Sequence, residues 1–188
     1  MYSLEVSKVG NGYRTVCAGG HSVQFYEQHS TLIGTIGQHI ARALAAGDTA
    51  IVIALSQHCL AIADDLSRRG IDVASLRASQ QYVEMDAGDT LEEIMVQGWP
   101  DAEKFMAAVG RKIVRAEALT QDGHVVVFGE MMALLWEQGM YASTVRLEQI
   151  WKDFAERRSF FRGKTFYNAG SPIMLGVLFD ITPYVVAA

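Results

Sequence analysis

The chain has 188 residues, half of them hydrophobic and a fifth charged, which is enough apolar material for the core of one domain. The formal net charge of −5 excludes the basic footprint of a nucleic-acid-binding protein. Cys17 and Cys59 form no C-x-x-C pair, which excludes a disulfide scaffold. Because the sequence has no signal-peptide pattern and no apolar run of about 18 residues, we expect a cytoplasmic protein without a membrane span.

Strand and helix patterns alternate along the chain after a short N-terminal hairpin. The hairpin is indicated by Gly10-Asn11-Gly12, which separates two β-prone stretches. Apolar runs without alternation, such as residues 50–55, are typical of parallel strands that are covered on both faces. In chain order, strands are predicted at residues 22–26, 50–55, 82–86 and 124–128. Apolar residues at helical spacing predict helices at 30–46, 57–69, 101–120, 130–138 and 143–158.

The sequence predicts the starting residue of two helical segments. Ser56 follows a buried strand directly and is placed to cap the next helix. Thr90 and Glu93 have the spacing of a capping box, in which each side chain accepts from the backbone of the other residue. We therefore expect a further helical segment to begin close to Thr90.

At least four alternations of strand and helix predict an α/β fold, with a mainly parallel central sheet and helices on both faces. We divide the chain into an N-terminal hairpin extension at residues 1–20, an α/β domain at 21–167 and an apolar C-terminal extension at 168–188. Two apolar stretches near the end, at residues 164–167 and 173–179, are expected to form antiparallel edge strands of the same domain.

The carboxyl ends of the parallel strands mark a candidate crevice, because ligands of open α/β sheets bind there. The side chains at these ends are Tyr26, Ser56, Asp86 and Glu130. Structural roles are open for them too, since Tyr26 can cover the sheet and Asp86 can end a strand in a turn. Glu130 can equally favour the dipole of the helix that it starts. Trp136 lies on a helix with an apolar stripe, which is typical of core packing.

Signatures of catalysis, cofactor binding and metal binding are absent from the sequence. A phosphate-binding loop needs glycines and a lysine between a strand and a helix, and residues 26–31 contain neither. The pair His58 and Cys59 has no second pair of ligands at metal-site spacing. We therefore expect no enzyme, no catalytic residue, no metal and no cofactor.

Two motifs occur in an order and spacing that match a known family. The first is His21-Ser22-Val23-Gln24-Phe25-Tyr26, with the pattern H-x-x-x-F-Y. The second begins at Val127-Phe128-Gly129-Glu130-Met131 and continues at Arg146-Leu147-Glu148-Gln149-Ile150-Trp151. Over about residues 21–167 the chain resembles the MEDS sensory domain of microbial signalling proteins and transcriptional regulators. The resemblance implies a fold similar to RecA and KaiC-like ATPases that have lost their nucleotide machinery.

The resemblance also implies a sensory role, with a small organic ligand such as a hydrocarbon derivative. By motif match, the implied ligand-binding residues are His21, Phe25, Tyr26, Glu130, Trp136 and Glu148. The chain has no room for the helix-turn-helix or kinase-related domain that family members often carry. We therefore expect it to relay its signal to a protein partner such as a kinase or regulator, without direct contact with nucleic acid or membrane. Whether the protein forms a homodimer is left open.

Three functions are compatible with these observations. The first is a ligand sensor, as the resemblance implies. The second is an interaction module without a ligand, whose apolar tail and Trp151 helix would form a dimer or partner surface. The third is a residual nucleotide-binding protein, for which kinship of fold is the one argument, and fold does not fix function.

Overall fold

In the computed structural model, the described residues are 5–9, 12–16, 22–26, 29–120, 124–156, 159–168 and 174–183, with side chains described for 33–120 and 124–154. The strands are β1 (Glu5–Val9), β2 (Gly12–Val16), β3 (Ser22–Tyr26), β4 (Thr49–Ala54), β5 (Tyr82–Asp86), β6 (Met95–Val96), β7 (Trp99–Pro100), β8 (Val125–Gly129), β9 (Ser159–Asn168) and β10 (Met174–Pro183). The helices are α1 (His29–Ala45), α2 (Ser56–Arg68), α3 (Val73–Ala78), α4 (Ala87–Ile94), α5 (Ala102–Phe105), α6 (Arg111–Glu117), α7 (Met131–Glu137) and α8 (Tyr141–Glu156), with a π-helical turn (Met106–Gly110) between α5 and α6. Within these ranges, no helix combines the length and the apolar character that crossing a membrane requires.

The described strands form an eight-stranded sheet in the order β1-β2-β3-β9-β10-β8-β4-β5, beside a small β6-β7 hairpin. β4 lies between β8 and β5 and is parallel to both. β3 is parallel to β9, and the other neighbouring strands are antiparallel. As a result, the carboxyl ends of β3, β4, β5 and β8 all lie at one edge of the sheet.

The parallel strands β8, β4 and β5 are covered by helices on both faces. On one face, Val52 and Phe128 pack in a cluster with residues of α1, α2 and α3. On the other face, Ile53 and Val127 pack in a cluster with residues of α4 to α8. Every residue of β4 is buried, which explains why this strand is apolar without alternation. The predicted α/β class is confirmed.

The two ends of the chain extend the sheet on its other side. β1 and β2 form an antiparallel hairpin, and β2 continues the sheet next to β3; the predicted turn residue Asn11 lies outside the described residues. The tail strands are not at an edge, contrary to the expectation for residues 168–188, because β10 is inserted between β8 and β9. An apolar strand that pairs on both sides leaves no apolar edge for other chains to pair with.

Two helices begin earlier than the sequence patterns predicted. The N-cap of α2 is Leu55, and Ser56 is already helical. The N-cap of α4 is Asp86, whose Oδ1 accepts from the backbone N–H of Gly88 at 2.8 Å and of Asp89 at 3.1 Å. Thr90 therefore lies inside α4, and the predicted capping box is wrong. A carboxylate at the end of β5 provides the cap one turn earlier. The short helix α3 was not predicted.

The helices α1 and α2 cross closely at Gly37. A Cβ atom at Gly37 would overlap the carboxylate of Asp65 on α2. That carboxylate is held in place by Arg69, whose Nε donates to Oδ2 at 2.6 Å. Because the carboxylate is anchored, a side chain at position 37 would push the two helices apart.

Gly37→Ala is therefore expected to lower the free energy of unfolding by about 1–2 kcal/mol, since overpacking costs more than the improved helix propensity returns. The matched control is Gly34→Ala in the same helix, where an added Cβ meets no atom within 4 Å. That change should raise stability by up to about 1 kcal/mol. Urea unfolding of both variants measures the difference, and equal effects would contradict the close crossing.

Candidate functional site

The ends of β4 and β8 form a crevice because their connections leave the sheet on opposite faces. β4 leads into α2, which packs on the face of Val52 and Phe128. β8 leads into α7, which packs on the opposite face. Such a divergence between neighbouring parallel strands is a topological switch point, where open α/β sheets bind ligands. The two strands that the sequence marked by Ser56 and Glu130 therefore enclose a genuine switch point.

Glu130 spans this crevice. The residue is 3% exposed, directly follows β8, and its backbone N–H donates to the carbonyl of Ile53 at 2.9 Å. Its Oε2 accepts from the backbone N–H of Leu55 at 2.9 Å. His58 Nδ1 lies 2.8 Å from Oε1 and 2.9 Å from Oε2 of the same carboxylate. One side chain at the start of α7 thus holds the first turn of α2.

The surroundings of His58 favour the charged form of its ring. Leu55 has no side-chain acceptor, so the carboxylate of Glu130 occupies the position at the positive end of α2 where a capping group is needed. The pKa of His58 is raised above its ordinary value, chiefly by the hydrogen bond to Glu130, and burial opposes this shift. The charge of Glu137 acts in the same direction as that of Glu130. The pair is therefore a partly buried contact that favours the protonated form of His58.

A second hydrogen bond joins the ends of β4 and β5. The hydroxyl of Ser56 donates to Oδ2 of Asp86 at 2.6 Å. This bond, followed by the backbone N–H of Asp89, lowers the pKa of Asp86 below its ordinary value. Asp86 is therefore an anion that ties the start of α2 to the end of β5.

Cys59 has a different role from its neighbour His58. Its thiol points back to the carbonyl of Ala54, with Sγ 3.5 Å from the oxygen. Burial raises the pKa of Cys59 to about 11, so the thiol is protonated at neutral pH. The two adjacent side chains thus diverge, with His58 directed to Glu130 and Cys59 to the backbone of β4.

Residues 20–161 match the model of the family described as MEDS, the MEthanogen/methylotroph, DcmR Sensory domain. The match covers more than half of the 188 residues. The chain belongs to the MEDS family. Its role in signalling is therefore sensory. No curated protein and no solved structure shows a significant match to the chain.

The residues implied by the motif match are spread over this MEDS domain. Phe25 and Tyr26 end β3 at the same sheet edge as Glu130, but β9 and β10 lie between β3 and β8. Three strand spacings put β3 about 14 Å from β8. Trp136 on α7 is half-buried and packs edge-to-face on Tyr141, with ring centroids 4.7 Å apart. Glu148 is exposed on α8, and His21 lies outside the described residues.

The structure instead gathers Leu55 and His58 around Glu130, and neither was predicted as a site residue. The signal in the sequence is a polar histidine in the first turn of the helix that follows a buried strand. Residues at such a position lie at the carboxyl edge of the sheet, as Glu130 does. The backbone N–H of Leu55 has no sequence signal, because any residue except proline supplies one.

A separate apolar cavity of the MEDS domain lies between the π-helical turn and α8. Its volume is about 370 Å³, and it is lined by Phe105, Met106, Ile150 and Phe154, with Arg146 and Asp153 among its polar residues. π-helical turns occur frequently at functional sites. This cavity, with both apolar and charged lining residues, is a second candidate site.

The stability that His58 contributes is expected to depend on pH. Since the pKa of His58 is raised in the folded protein above its ordinary value of 6.5, the contribution is complete below pH 6.5 and is lost as the pH rises through the folded pKa. The difference in unfolding free energy between wild type and His58→Gln should therefore shrink between pH 5.5 and pH 8.5. Urea unfolding across this range measures it, and a constant difference would contradict the ion pair.

Loss of the Glu130 carboxylate is expected to destabilise the domain. Glu130→Ala removes the acceptor of the Leu55 N–H and one contact of the His58 ring, and an unsatisfied buried N–H costs about 1–3 kcal/mol. Glu130→Gln keeps an oxygen for Leu55 and should lose less. Thermal and urea unfolding compare the two variants, with Glu148→Ala on the exposed surface of α8 as control. If Glu130→Ala is as stable as the control, the carboxylate does not hold the crevice.

Proposed function

We propose that this MEDS domain senses a small organic ligand by binding it, without turning it over, and relays the binding to a signalling protein. The observation that carries the proposal is the Glu130–His58 pair across the crevice between β4 and β8. A buried ion pair adds little net stability compared with an apolar contact of the same size, because both charges lose their hydration. Because the pair adds little net stability and lies at a switch point, we interpret it as a site that recognises the ligand.

A ligand in the crevice would act on two helices at once. A polar group of the ligand that bonds to His58 or Glu130 competes with the contact between them. Glu130 is also the N-cap of α7, and α7 packs against α8. The side chain of Glu130 makes no cap bond to α7, so a ligand would reach α7 and, through it, α8 by displacing the backbone of Glu130. The ligand shifts the population between two arrangements to the extent that it binds one more tightly.

The apolar part of the ligand has two candidate locations. One is the crevice beside Glu130, and the other is the cavity between the π-helical turn and α8. Filling the cavity with Met106→Trp separates the two, because that change leaves Glu130, His58 and Leu55 in place. Ligand binding that survives in Met106→Trp places the whole ligand in the crevice.

The first test is thermal unfolding of the protein with a ligand panel. It contains one-carbon compounds, small aromatics and short hydrocarbons, beside ATP, ADP and cyclic nucleotides. A compound at 100 times its dissociation constant stabilises the folded state by about 2.7 kcal/mol. For a chain of this size the midpoint then rises by roughly 5–11 °C. We expect a rise with an organic compound that disappears in Glu130→Gln and persists in the control Glu148→Gln.

The other outcomes assign the alternative functions. A rise confined to nucleotides would favour a residual nucleotide-binding protein, and turnover of ATP that is lost in Glu130→Gln would contradict binding without catalysis. No rise with any compound would favour an interaction module without a ligand. An equal loss of the rise in Glu130→Gln and Glu148→Gln would remove the argument for the crevice.

A further inference from the structure

The cavity between the π-helical turn and α8 has a wall of apolar side chains that are held from behind. Phe105, Ile150 and Phe154 line it, and these residues are 1%, 4% and 7% exposed. The rings of Phe105 and Phe154 meet edge-to-face with centroids 6.0 Å apart, and Phe105 packs in the same way on Trp151 at 4.8 Å. The volume of about 370 Å³ lies within the usual range of about 300–1,000 Å³ for ligand pockets. We call this space the α8 cavity.

The opening of the α8 cavity is bordered by a flexible side chain. Met106 and Arg146 line the cavity and are both exposed, so solvent reaches it from their side. A Cβ atom at Gly110 would lie 2.5 Å from Sδ of Met106 and 3.3 Å from Cε2 of Phe154. Because Gly110 has no side chain, the thioether of Met106 occupies the space over Gly110, next to Phe154. An unbranched thioether side chain adapts its conformation readily, so a small molecule can enter by a movement of Met106 alone.

Two opposite charges of α8 stand at the two ends of the α8 cavity. Arg146 and Asp153 are seven residues apart, which is about 10 Å along a helix, and Ile150 lies between them. Within residues 33–120 and 124–154, Arg146 has no ion pair. Oδ1 of Asp153 already accepts from Nε2 of Gln149 at 2.7 Å. The cation is therefore the charged group that is available to a ligand.

We infer that the α8 cavity binds an organic monocarboxylate with an apolar body. The carboxylate pairs with Arg146, whose planar guanidinium matches the two oxygens. The apolar body lies on the wall of Phe105, Ile150 and Phe154. Asp153 repels a second carboxylate at the far end, which favours monocarboxylates over dicarboxylates. The inference gives the second candidate site a ligand class of its own, and it does not depend on ligand binding in the Glu130 crevice.

Isothermal titration calorimetry of the full chain with octanoate tests the contact with the carboxylate. We expect saturable binding at one site, and about fivefold weaker binding of 1-octanol, which has the same chain without the charge. Arg146→Gln should weaken octanoate binding about fivefold and leave the binding of 1-octanol unchanged, because only the carboxylate loses its partner. The matched control is Arg111→Gln, at an exposed arginine of α6 that does not line the cavity. It should bind octanoate within about twofold of wild type, since salt screens distant charges.

A comparison with suberate tests the charge at the far end of the α8 cavity. Suberate has a chain of the same length as octanoate and a carboxylate at both ends. We expect it to bind about fivefold more weakly than octanoate, because its second carboxylate meets Asp153. Asp153→Asn keeps an oxygen for Gln149 and removes the charge, so it should narrow the difference between the two ligands about threefold. An unchanged ratio in Asp153→Asn would overturn the preference for monocarboxylates.

Methyl NMR spectra with octanoate locate the bound molecule. The signals of Met106 and Ile150 should shift on titration, whereas that of Ile62, which packs on the other face of the sheet, should not. Met106→Trp fills the cavity and should abolish the shift of Ile150. Glu130→Gln should leave octanoate binding within about twofold of wild type, because Glu130 does not line the cavity.

The monocarboxylate site would be overturned by the absence of saturable octanoate binding or by equal affinities for octanoate and 1-octanol. Equal weakening in Arg146→Gln and Arg111→Gln would also overturn it. Loss of octanoate binding in Glu130→Gln would do the same, since it places the carboxylate in the crevice. Octanoate, 1-octanol and suberate are not in the ligand panel for the crevice. Failure here therefore leaves the ligand sensor standing, and failure of that panel leaves the α8 cavity standing.

Discussion

The carboxylate of Glu130 connects the end of β8 to the start of α2. The helices that follow β8 and β4 lie on opposite faces of the sheet. Neighbouring parallel strands whose helices lie on opposite faces must separate at their carboxyl ends, and β4 and β8 do so. The contacts of Glu130 with Leu55 and His58 cross that gap. The start of α2 and the protonation of His58 consequently depend on one side chain, and that side chain belongs to the residue that precedes α7. A change at this point reaches both faces of the sheet.

The crevice and the end of β5 are connected through the first turn of α2. Leu55 and His58 contact Glu130, and Ser56 between them donates to Asp86 at the end of β5. Asp86 also caps α4. A displacement of this turn by a ligand would therefore change the contacts at the end of β5 and at the start of α4.

Much of this fold follows from local patterns in the sequence. The limits of β3 and β5 agree with the predicted strands, since runs such as Tyr82–Asp86 are bounded by clear turn and cap residues. The start of α4 was misplaced because Asp86 serves as both the last strand residue and the cap. The position of β10 was missed because periodicity states how a strand is covered and does not state which strands flank it. Strand order depends on contacts between residues far apart in the chain.

The sequence by itself determined the α/β class, the buried character of β4 and β8, and the place of Glu130 at the carboxyl edge. These properties follow from hydrophobic periodicity and from the rule that parallel strands end at a common edge. The tertiary structure alone decided that His58 and Leu55 N–H meet Glu130, and that two strands separate it from Tyr26. The position of β5 at one end of the sheet likewise became clear only from the sheet order. Hydrogen bonds across 72 to 75 residues have directions that no local pattern encodes.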